Sequence, residues 1–362
     1  MIRVLQLVTA LAGGGVGSVI SNYYHYIDDD FVFDFVVNEK TGSSLEKEIE
    51  KKGGKIFVVP PLRKGFFKHI SSLIKVLKKN KGSILHSNYG EKSLFFLFFS
   101  WLFGFKKRIL HVHSSKRPER RLEMIKRKLL TSLCVVFATD KVACGTEAAE
   151  WFYGKKYRKK SIIILRNAIR LNDYLFDNKT RELERSKYMF KDCFVIGNVG
   201  RLSFPKNHRF MIDLFSEIHK IDNRFILAFA GSGELESELM NLVAQRNLQT
   251  HIKFLGLVND VNALLNAFDV FLLPSISEGV PVAGIEALAN GLTVVCSSAV
   301  TKEICIDKSV YYLSLNDSFD AWIDKIINAG RCGNSNIDKL KQLGFDIEQE
   351  AHNLKDLYLR WR

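Results

Sequence analysis

Short apolar runs alternate with segments of helical periodicity along most of the chain. In the first half, seven apolar runs predict strands, at residues 2–8, 31–37, 55–59, 84–86, 108–112, 141–144 and 161–165. The alternation resumes near residue 192 and continues to about residue 315. Apolar strands separated by helices are typical of parallel sheets covered on both faces. The pattern therefore predicts an α/β fold with two doubly wound sheets.

A polar stretch without predicted strands divides the two halves. We expect residues 1–170 to form an N-terminal domain, 171–191 an interdomain linker and 192–346 a C-terminal domain. Residues 347–362 predict a final helix, because Leu354, Leu357 and Trp361 recur at helical spacing. Open parallel sheets bind ligands at the carboxyl ends of their strands. Candidate residues are therefore expected in strand-to-helix loops.

Two glutamates eight residues apart follow one such strand. The apolar run 270–273 precedes Glu278, which lies in the loop, and Glu286 falls in the first turns of the next helix. Gly279, Val280 and Pro281 lie between them, where outward N–H groups of a helix N-terminus suit anions and hydroxyls. A glutamate at a helix start is also explained by the helix macrodipole alone. Glu286 taken by itself therefore leaves both readings open.

Arg201 and Lys206 stand five positions apart in the loop after the strand 193–199. A guanidinium and an ammonium together match a diphosphate, although a solvated basic loop is the plainer explanation of the spacing alone. A third loop opens after strand 225–230 with Gly231, and glycines there let the backbone approach a ligand closely. The three loops together favour a phosphate-bearing polyol.

The order GRLSFPKN, FAGSGE, FLGLVNDV and LLPSISEGVPVAGIEALANG resembles glycosyltransferase family 4. The stretches GGGVGSVISNYYHYID, RILHVHSSK and IIILRNAI are most similar to its capsular and exopolysaccharide branch, and the resemblance covers about residues 1–330. It implies a GT-B fold, in which two Rossmann-like domains face a central cleft and the C-terminal helix packs back on the N-terminal domain. It also implies retaining transfer of a hexosyl or N-acetylhexosaminyl group from a nucleotide-diphosphate sugar, with UDP-sugar favoured, to a glycan or lipid-linked acceptor in cell-surface polysaccharide synthesis. The alternatives are another nucleotide-sugar enzyme of this fold, of the 2-epimerase type, and a non-catalytic nucleotide-sugar-binding module.

The resemblance assigns a role to each candidate residue. The catalytic candidates are Arg201, Lys206, Glu278 and His113; the donor-binding candidates are Gly15, Gly231, Val258, Gly279, Val280, Pro281 and Glu286; those on the acceptor side are Gly14, His86 and Asn167. We expect N–H groups of Gly231 and of residues 279–281 to assist the two cations. Because the cations take a metal's place, no metal and no cofactor besides the donor are expected.

His111 and His113 flank the end of one strand, and alternation places them on the same face. An H-x-H pair can bind metal, but the sequence offers no third ligand nearby. The family's sugar-contacting histidine matches His113, with His111 as the fallback, and a satisfied core histidine is the alternative for either. Two departures from the family pattern are Val16-Gly17, where an acidic residue is usual, and Ala168, which replaces a glycine.

Charge is unevenly distributed. Residues 1–180 hold 33 Lys and Arg against 16 Asp and Glu, a net of +17, whereas the remainder has a net of −3. No nucleic-acid-binding signature accompanies the basic half, and the basic segments 65–82 and 116–130 instead predict contact with an anionic membrane. For each, a core helix with a solvated basic face is the alternative.

The longest apolar run, 94–105, falls short of the about 20 residues of a membrane span and predicts a buried helix. With no cysteine spacing typical of a metal site, we expect a cytoplasmic protein, peripheral on the inner face of the membrane.

Overall fold

The computed structural model describes residues 1–11, 15–113, 121–155 and 161–360. It divides the chain into two units. Unit 1 comprises Met1–Ala168 and Ile347–Arg362, and unit 2 comprises Ile169–Asp346. Each unit is built around one parallel sheet, so the predicted α/β class with two doubly wound sheets is confirmed.

Unit 1 contains a seven-stranded sheet in the order β3-β2-β1-β4-β5-β6-β7. Its strands are β1 (Ile2–Leu7), β2 (Phe31–Val37), β3 (Ile56–Val58), β4 (Ile84–Ser87), β5 (Arg108–Val112), β6 (Asp140–Ala143) and β7 (Ile162–Ile164). Its helices are α1 (Gly15–Tyr26), α2 (Ser44–Lys51), α3 (Phe66–Lys79), α4 (Leu94–Leu102), α5 (Arg121–Phe137), α6 (Thr146–Tyr153) and, from the end of the chain, α14 (Ile347–Leu359). The order reverses between β1 and β4, which is where such sheets place ligands.

Unit 2 contains a six-stranded sheet in the order β10-β9-β8-β11-β12-β13. Its strands are β8 (Phe194–Val199), β9 (Phe225–Ala230), β10 (Ile252–Phe254), β11 (Val270–Leu273), β12 (Thr293–Ser297) and β13 (Val310–Leu313). Its helices are α7 (Asn178–Lys187), α8 (His208–Ile221), α9 (Glu236–Gln245), α10 (Val261–Ala267), α11 (Val282–Ala289), α12 (Phe319–Ile327) and α13 (Ile337–Gln342). The order reverses between β8 and β11, and the loops with Arg201, Lys206 and Glu278 follow these two strands.

Residues 171–191, which we expected to form a linker, belong to unit 2. Helix α7 lies in this stretch and is anchored by buried charge. Arg181 and Arg185 both pair with the carboxylate of Asp269, and Arg181 Nη1 also donates to the carbonyls of Asn266 and Phe268 at 2.9 Å. A hydrophobic pattern does not reveal this anchor, because α7 buries no residue completely.

Helix α14 packs on α1 within unit 1. Its residues Leu354, Leu357 and Tyr358 are buried, as the helical spacing predicted for the two leucines. Trp361 lies outside the described residues. Helix α14 therefore brings the distant end of the chain into the core of unit 1.

The burial of helices α3 and α4 can be compared with what the sequence predicted. Leu73 and Leu77 of α3 are buried while Lys75 is exposed, so this part of the apolar stripe packs into the core, whereas Phe66 at the start of the helix is 52% exposed. Helix α4 buries Phe96, Leu97 and Ser100, as predicted for a buried helix, whereas Trp101 and Leu102 at its end are exposed. Within the described ranges, no helix is long and apolar enough to cross a membrane.

Candidate active site

Lys206 and Glu278 form an ion pair between two loops of unit 2. Lys206 Nζ donates to Glu278 Oε2 at 2.8 Å, and Ser275 Oγ donates to the same oxygen at 3.0 Å. The side chains of Lys206 and Glu278 are 19% and 16% exposed, so both charges are largely withdrawn from water. Each of the two groups therefore has a partner of opposite charge at the carboxyl edge of the sheet.

Backbone contacts hold these two loops in register. Lys206 ends a single 3₁₀ turn, and Asn207 follows in the left-handed conformation with φ 60°. Ile276 N donates to Pro205 O at 2.8 Å, and Asn207 Nδ2 donates to Pro274 O at 3.1 Å. The loop after β8 and the loop after β11 are thus joined on both sides of the ion pair. This pre-positions the ammonium and the carboxylate without a ligand.

Gly231 packs against the backbone of Gly200, which in turn lies next to the side chain of Lys206. With φ +140°, Gly231 lies where a side chain's Cβ would be 2.0 Å from Gly200 O, so only glycine fits. A Cβ on Gly200 would in turn lie 3.5 Å from Lys206 Cε. However, Gly231 N donates to Gly256 O at 2.7 Å. Our expectation that this N–H would serve a ligand was wrong, because a backbone carbonyl already accepts its hydrogen; its role is close approach.

Arg201 has a different setting from Lys206. Its Nε donates to Glu234 Oε2 at 3.0 Å, and both side chains are exposed. An exposed pair of this kind contributes little to stability and exchanges readily with water. Leaving Glu234 for a ligand would therefore cost the Arg201 guanidinium little free energy. Lys206, in contrast, would have to leave a largely buried ion pair with Glu278.

Glu286 lies in the second turn of α11 and is partly buried. Tyr174 OH donates to Glu286 Oε1 at 2.9 Å. Burial raises the pKa of Glu286 to about 7, and the hydrogen bond from Tyr174 opposes that rise. The pKa of the Tyr174 hydroxyl is raised as well, chiefly by burial and then by the charge of Glu286. Burial thus opposes the charged form of this carboxyl, and the hydrogen bond from Tyr174 favours it.

The loop between the two glutamates offers fewer donors than we expected. Pro281 has no N–H, and it serves as the N-cap of α11. Val280 is buried, whereas Gly279 is partly exposed. The prediction that all of residues 279–281 supply N–H groups is wrong at Pro281 for this chemical reason. Val258, after β10, is partly buried.

Three histidines lie side by side at the carboxyl ends of β4 and β5 in unit 1. The rings of His111 and His113 are 4.0 Å apart between centroids, which confirms that they share a face. His86 Nε2 and His111 Nδ1 are 3.1 Å apart. Burial lowers the pKa of His86 to about 3 and that of His113 to about 4, and it lowers the pKa of His111 as well. All three rings are therefore neutral at neutral pH.

The hydrogen-bond network assigns the proton of His113. Asn88 Nδ2 donates to the backbone carbonyl of Leu7 at 3.2 Å and to Gln6 Oε1 at 3.0 Å. Because a carbonyl can only accept, Asn88 must turn its own Oδ1 toward His113 Nε2, which lies 2.8 Å away. His113 therefore carries its hydrogen on Nε2 and donates it to Asn88.

A chain of hydrogen bonds leads from Gln6 through Tyr358 and His86 to His111. With Oε1 occupied, Gln6 donates from Nε2 to Tyr358 OH at 2.9 Å, and Tyr358 then donates to His86 Nδ1 at 2.7 Å. His86 must donate from Nε2 to His111 Nδ1, which leaves the hydrogen of His111 on Nε2. That buried nitrogen has no hydrogen-bond partner within the described residues. His111 also lines a cavity of about 20 Å³, enough for one water molecule.

Of the acceptor-side candidates, His86 and Asn167 lie in the histidine cluster of unit 1. His86 is fully engaged by Tyr358 and His111, and Asn167 Oδ1 lies 3.4 Å from His113 Nδ1. Gly14 lies outside the described residues. Gly15 begins α1, and a Cβ there would meet no atom within 4 Å, so no described neighbour requires a glycine. The structure thus groups the three histidines with Asn167.

Sequence reasoning missed several partners of the candidate residues. Tyr174 falls in the expected linker, and Tyr358 stands 272 residues from His86, to which its hydroxyl hydrogen-bonds. Glu234 was visible in FAGSGE but had no assigned role. No local pattern links residues so far apart, since only the fold brings them together. Within the described parts of the chain, no three His, Cys, Asp or Glu side chains cluster in a way that could hold a metal.

The chain is similar to known glycosyltransferases along its whole length. Residues 193–330 match the family Glycosyl transferases group 1. A putative glycosyltransferase EpsF of Bacillus subtilis is 28% identical, covering 98% of this chain and 96% of that protein. An Escherichia coli UDP-Gal:alpha-D-GlcNAc-diphosphoundecaprenol alpha-1,3-galactosyltransferase is 29% identical, over 84% and 83%. The capsular polysaccharide biosynthesis glycosyltransferase CapH of Staphylococcus aureus is 23% identical, over 99% of each chain.

Solved structures share the fold of this chain. The crystal structure of Anabaena HepE in complex with UDP-glucose superposes with a TM-score of 0.82 at 18% identity, covering 99% of both chains. At that identity the likeness shows the fold alone, and it agrees with the two parallel sheets described above. The chain is a glycosyltransferase with the GT-B fold, and its sequence is similar to the Glycosyl transferases group 1 family.

Proposed function

We propose that this glycosyltransferase transfers a sugar from a UDP-sugar to a lipid-linked glycan, with retention of anomeric configuration, in the synthesis of a cell-surface polysaccharide. The bond between the anomeric carbon and the diphosphate breaks, a bond to an acceptor hydroxyl oxygen forms on the same face of the sugar, and the hydroxyl proton passes to the departing diphosphate. The observation that carries the proposal is the ion pair of Lys206 with Glu278, held between two loops inside the segment that matches the family.

In this proposal Lys206 exchanges its partner. The ammonium moves its hydrogen bond from Glu278 to the diphosphate, where negative charge develops as the sugar leaves. Glu278, still held by Ser275, then accepts hydrogen bonds from sugar hydroxyls. Exposed Arg201 adds a second cation to the same diphosphate. Because both loops are already fixed by backbone contacts, little reorganisation is needed at the moment of transfer.

Glu286 serves the nucleotide in the same proposal. Its carboxylate accepts from ribose hydroxyls on the oxygen that Tyr174 does not occupy. Gly231 lets the backbone come close to the diphosphate without donating to it. In unit 1, burial lowers the pKa of His113 and Asn88 Oδ1 accepts the hydrogen of its Nε2, which suits a neutral histidine that hydrogen-bonds an uncharged sugar hydroxyl.

The named relatives support the choice of substrates. One curated relative acts on a sugar diphosphoundecaprenol with a UDP-galactose donor, and another belongs to capsular polysaccharide synthesis. The solved structure of similar fold binds UDP-glucose. We therefore propose a UDP-sugar donor and a lipid-linked acceptor for this chain. Because such an acceptor is embedded in a bilayer, we also propose that the protein acts at the cytoplasmic face of the membrane, attached peripherally through its basic unit 1.

A donor panel tests this proposal. UDP-sugars and GDP-sugars are incubated with the purified protein, with and without a polyprenyl-diphosphate sugar, and the products are identified by mass spectrometry. We expect UDP release that requires Lys206 and increases with the acceptor, and the product's anomeric configuration is then read by NMR. Lys220→Ala, which removes an exposed lysine paired with Glu217 in the same unit, is the matched control. Conversion of the donor into an epimeric UDP-sugar, or an inverted product, would contradict the proposal.

A further inference from the structure

Asn88 connects His113 to the backbone at the end of β1. Its Nδ2 donates to Leu7 O at 3.2 Å and to Gln6 Oε1 at 3.0 Å, and its Oδ1 accepts from His113 Nε2 at 2.8 Å. The backbone N of Asn88 also donates to Leu7 O, at 3.1 Å. A carbonyl held by the sheet can only accept a hydrogen, so it allows this amide one orientation. The main chain, rather than the histidine, therefore sets the orientation of the Asn88 side chain.

Helix α14 supports the same orientation through Gln6. Gln6 Nε2 donates to Tyr358 OH at 2.9 Å, so Gln6 Oε1 is the atom that faces Asn88. The side chains of Gln6 and Tyr358 are both buried, which protects this hydrogen bond from exchange with water. Two independent acceptors, one on β1 and one fixed by α14, thus hold the Asn88 amide.

The orientation of Asn88 decides what His113 offers to a ligand. With its hydrogen on Nε2, the neutral ring of His113 carries a lone pair on Nδ1. Asn167 Oδ1, which lies 3.4 Å from Nδ1, has no hydrogen to donate to it. The lone pair can accept from a hydroxyl, but it repels an oxygen of an ionised diphosphate. An Asn88 amide turned by 180° would move the hydrogen to Nδ1 and favour the phosphate oxygen instead.

We infer that Asn88 is a positioning residue for glycosyl transfer, which holds the hydrogen of His113 on Nε2 so that Nδ1 accepts from a hydroxyl of the donor sugar. Asn88 acts through His113 and makes no bond to the sugar itself. His113 therefore selects the donor by a hydroxyl hydrogen and leaves the diphosphate to the cations of unit 2. The inference rests on the proposed function, because it deepens the role given there to His113.

A donor series tests the direction of the hydrogen bond to His113. Each hydroxyl of the donor sugar is replaced in turn by hydrogen or by fluorine, which accepts weakly and cannot donate. Dissociation constants of these UDP-sugars are compared, because fluorine also slows the bond-breaking step. At one position we expect both analogues to bind about tenfold more weakly than the parent, since one hydrogen bond is lost. In His113→Ala this difference should vanish.

Two results of the series would overturn the inference. One is a fluoro analogue that binds as tightly as the parent where the deoxy analogue does not, because His113 would then be the donor. The other is an equal effect of every replacement in wild type and His113→Ala. Failure of all UDP-sugars to bind the wild type would refute the proposed function and the inference with it, so the two failures are distinguishable.

Asn88→Asp tests the positioning role. Its carboxylate still accepts from His113 Nε2, but its negative charge should raise the pKa of His113 from about 4 toward neutrality. Below the raised pKa, Nδ1 holds a proton and cannot accept, so kcat/KM relative to wild type should fall as pH decreases through neutrality. Burial lowers the pKa of His86 to about 3 and that of His111 as well, so these neighbours do not titrate in the same range. The ratio to wild type also removes the titration of Glu286, which both proteins share.

The matched control is Asn22→Asp, the same change at an amide of unit 1 that donates to a backbone carbonyl, Ala168 O, at 3.1 Å. Its ratio to wild type should not depend on pH. A pH-independent ratio for Asn88→Asp would show a merely structural role and overturn the inference. Nitrogen-15 NMR of the wild type should show the Nε2–H tautomer of His113, and an Nδ1–H tautomer would also overturn it. This spectrum and the donor series decide the question even if Asn88→Asp does not fold.

Discussion

The pairing of Lys206 with Glu278 leads to a prediction in which activity and stability respond differently. Lys206→Ala removes the ammonium that lies 2.8 Å from Glu278 Oε2. If this ammonium stabilises the leaving diphosphate, its loss costs about 2–4 kcal/mol of transition-state stabilisation, as for one preorganised donor. That corresponds to a decrease of about 30- to 1000-fold in kcat/KM.

The cost in folding free energy follows from burial. Exposed ion pairs contribute about 0–1 kcal/mol, and breaking a buried pair costs about 3–5 kcal/mol. Glu278 is 16% exposed and keeps the hydrogen bond from Ser275 at 3.0 Å, so its orphaned charge lies between these cases. We expect Lys206→Ala to lower the free energy of unfolding by about 1–3 kcal/mol.

The double variant separates the two effects. Lys206→Ala with Glu278→Gln removes the orphaned charge, so most of the lost folding free energy should return while activity stays low. Urea denaturation measures the first quantity, and initial rates of UDP release measure the second. Lys220→Ala should change neither beyond about 0.5 kcal/mol. Wild-type kcat/KM in Lys206→Ala would refute the catalytic role, and an undiminished loss of stability in the double variant would refute the role of the pair.

Four further changes have distinct expected outcomes. Arg201→Ala should also cost about 2–4 kcal/mol of transition-state stabilisation, measured as a decrease in kcat/KM. It should leave the melting temperature unchanged, because the ion pair of Arg201 with Glu234 is exposed, and a loss of stability as large as that of Lys206→Ala would contradict this. Activity should persist in excess EDTA, and loss with rescue by Mg²⁺ or Mn²⁺ would show that a metal is needed. Burial raises the pKa of Glu286 from 4.5 to about 7, so the folded protein keeps a proton that the unfolded chain loses between these values, and wild-type stability falls as pH rises through this range. Glu286→Gln should therefore equal wild type near pH 4 and exceed it by up to about 3 kcal/mol at pH 8, measured by urea denaturation; a difference that is independent of pH would show the reasoning to be wrong. Tyr358→Phe should cost about 1–3 kcal/mol of unfolding free energy, because the donor of Gln6 and the acceptor of His86 lose their shared hydroxyl, and an unchanged ¹⁵N tautomer signal for His86 would argue against the assigned relay.

The strand pattern predicted the fold well because buried parallel strands are continuous apolar runs. Each of the predicted runs in the first half corresponds to a strand of unit 1, and both candidate cations lie in the loop after β8 as expected. The same pattern could not predict α7, since an anchor made of Arg181, Arg185 and Asp269 has no periodicity. The pattern also could not predict how α3 and α5 pack, because amphipathic spacing does not show which face of a helix lies against the core.

By itself, the sequence determined the fold class, the loops that carry the chemistry and the choice of cations and carboxylates in them. Those features depend on local periodicity and on residue type at short spacing, which one chain displays directly. Only the tertiary structure decided the partners: Lys206 with Glu278, Glu286 with Tyr174, and His86 with Tyr358. It also showed that the N–H of Gly231 donates to the carbonyl of Gly256. Such pairings join residues separated by up to 272 positions, and the packing of whole elements, rather than any local pattern, brings them within hydrogen-bond distance.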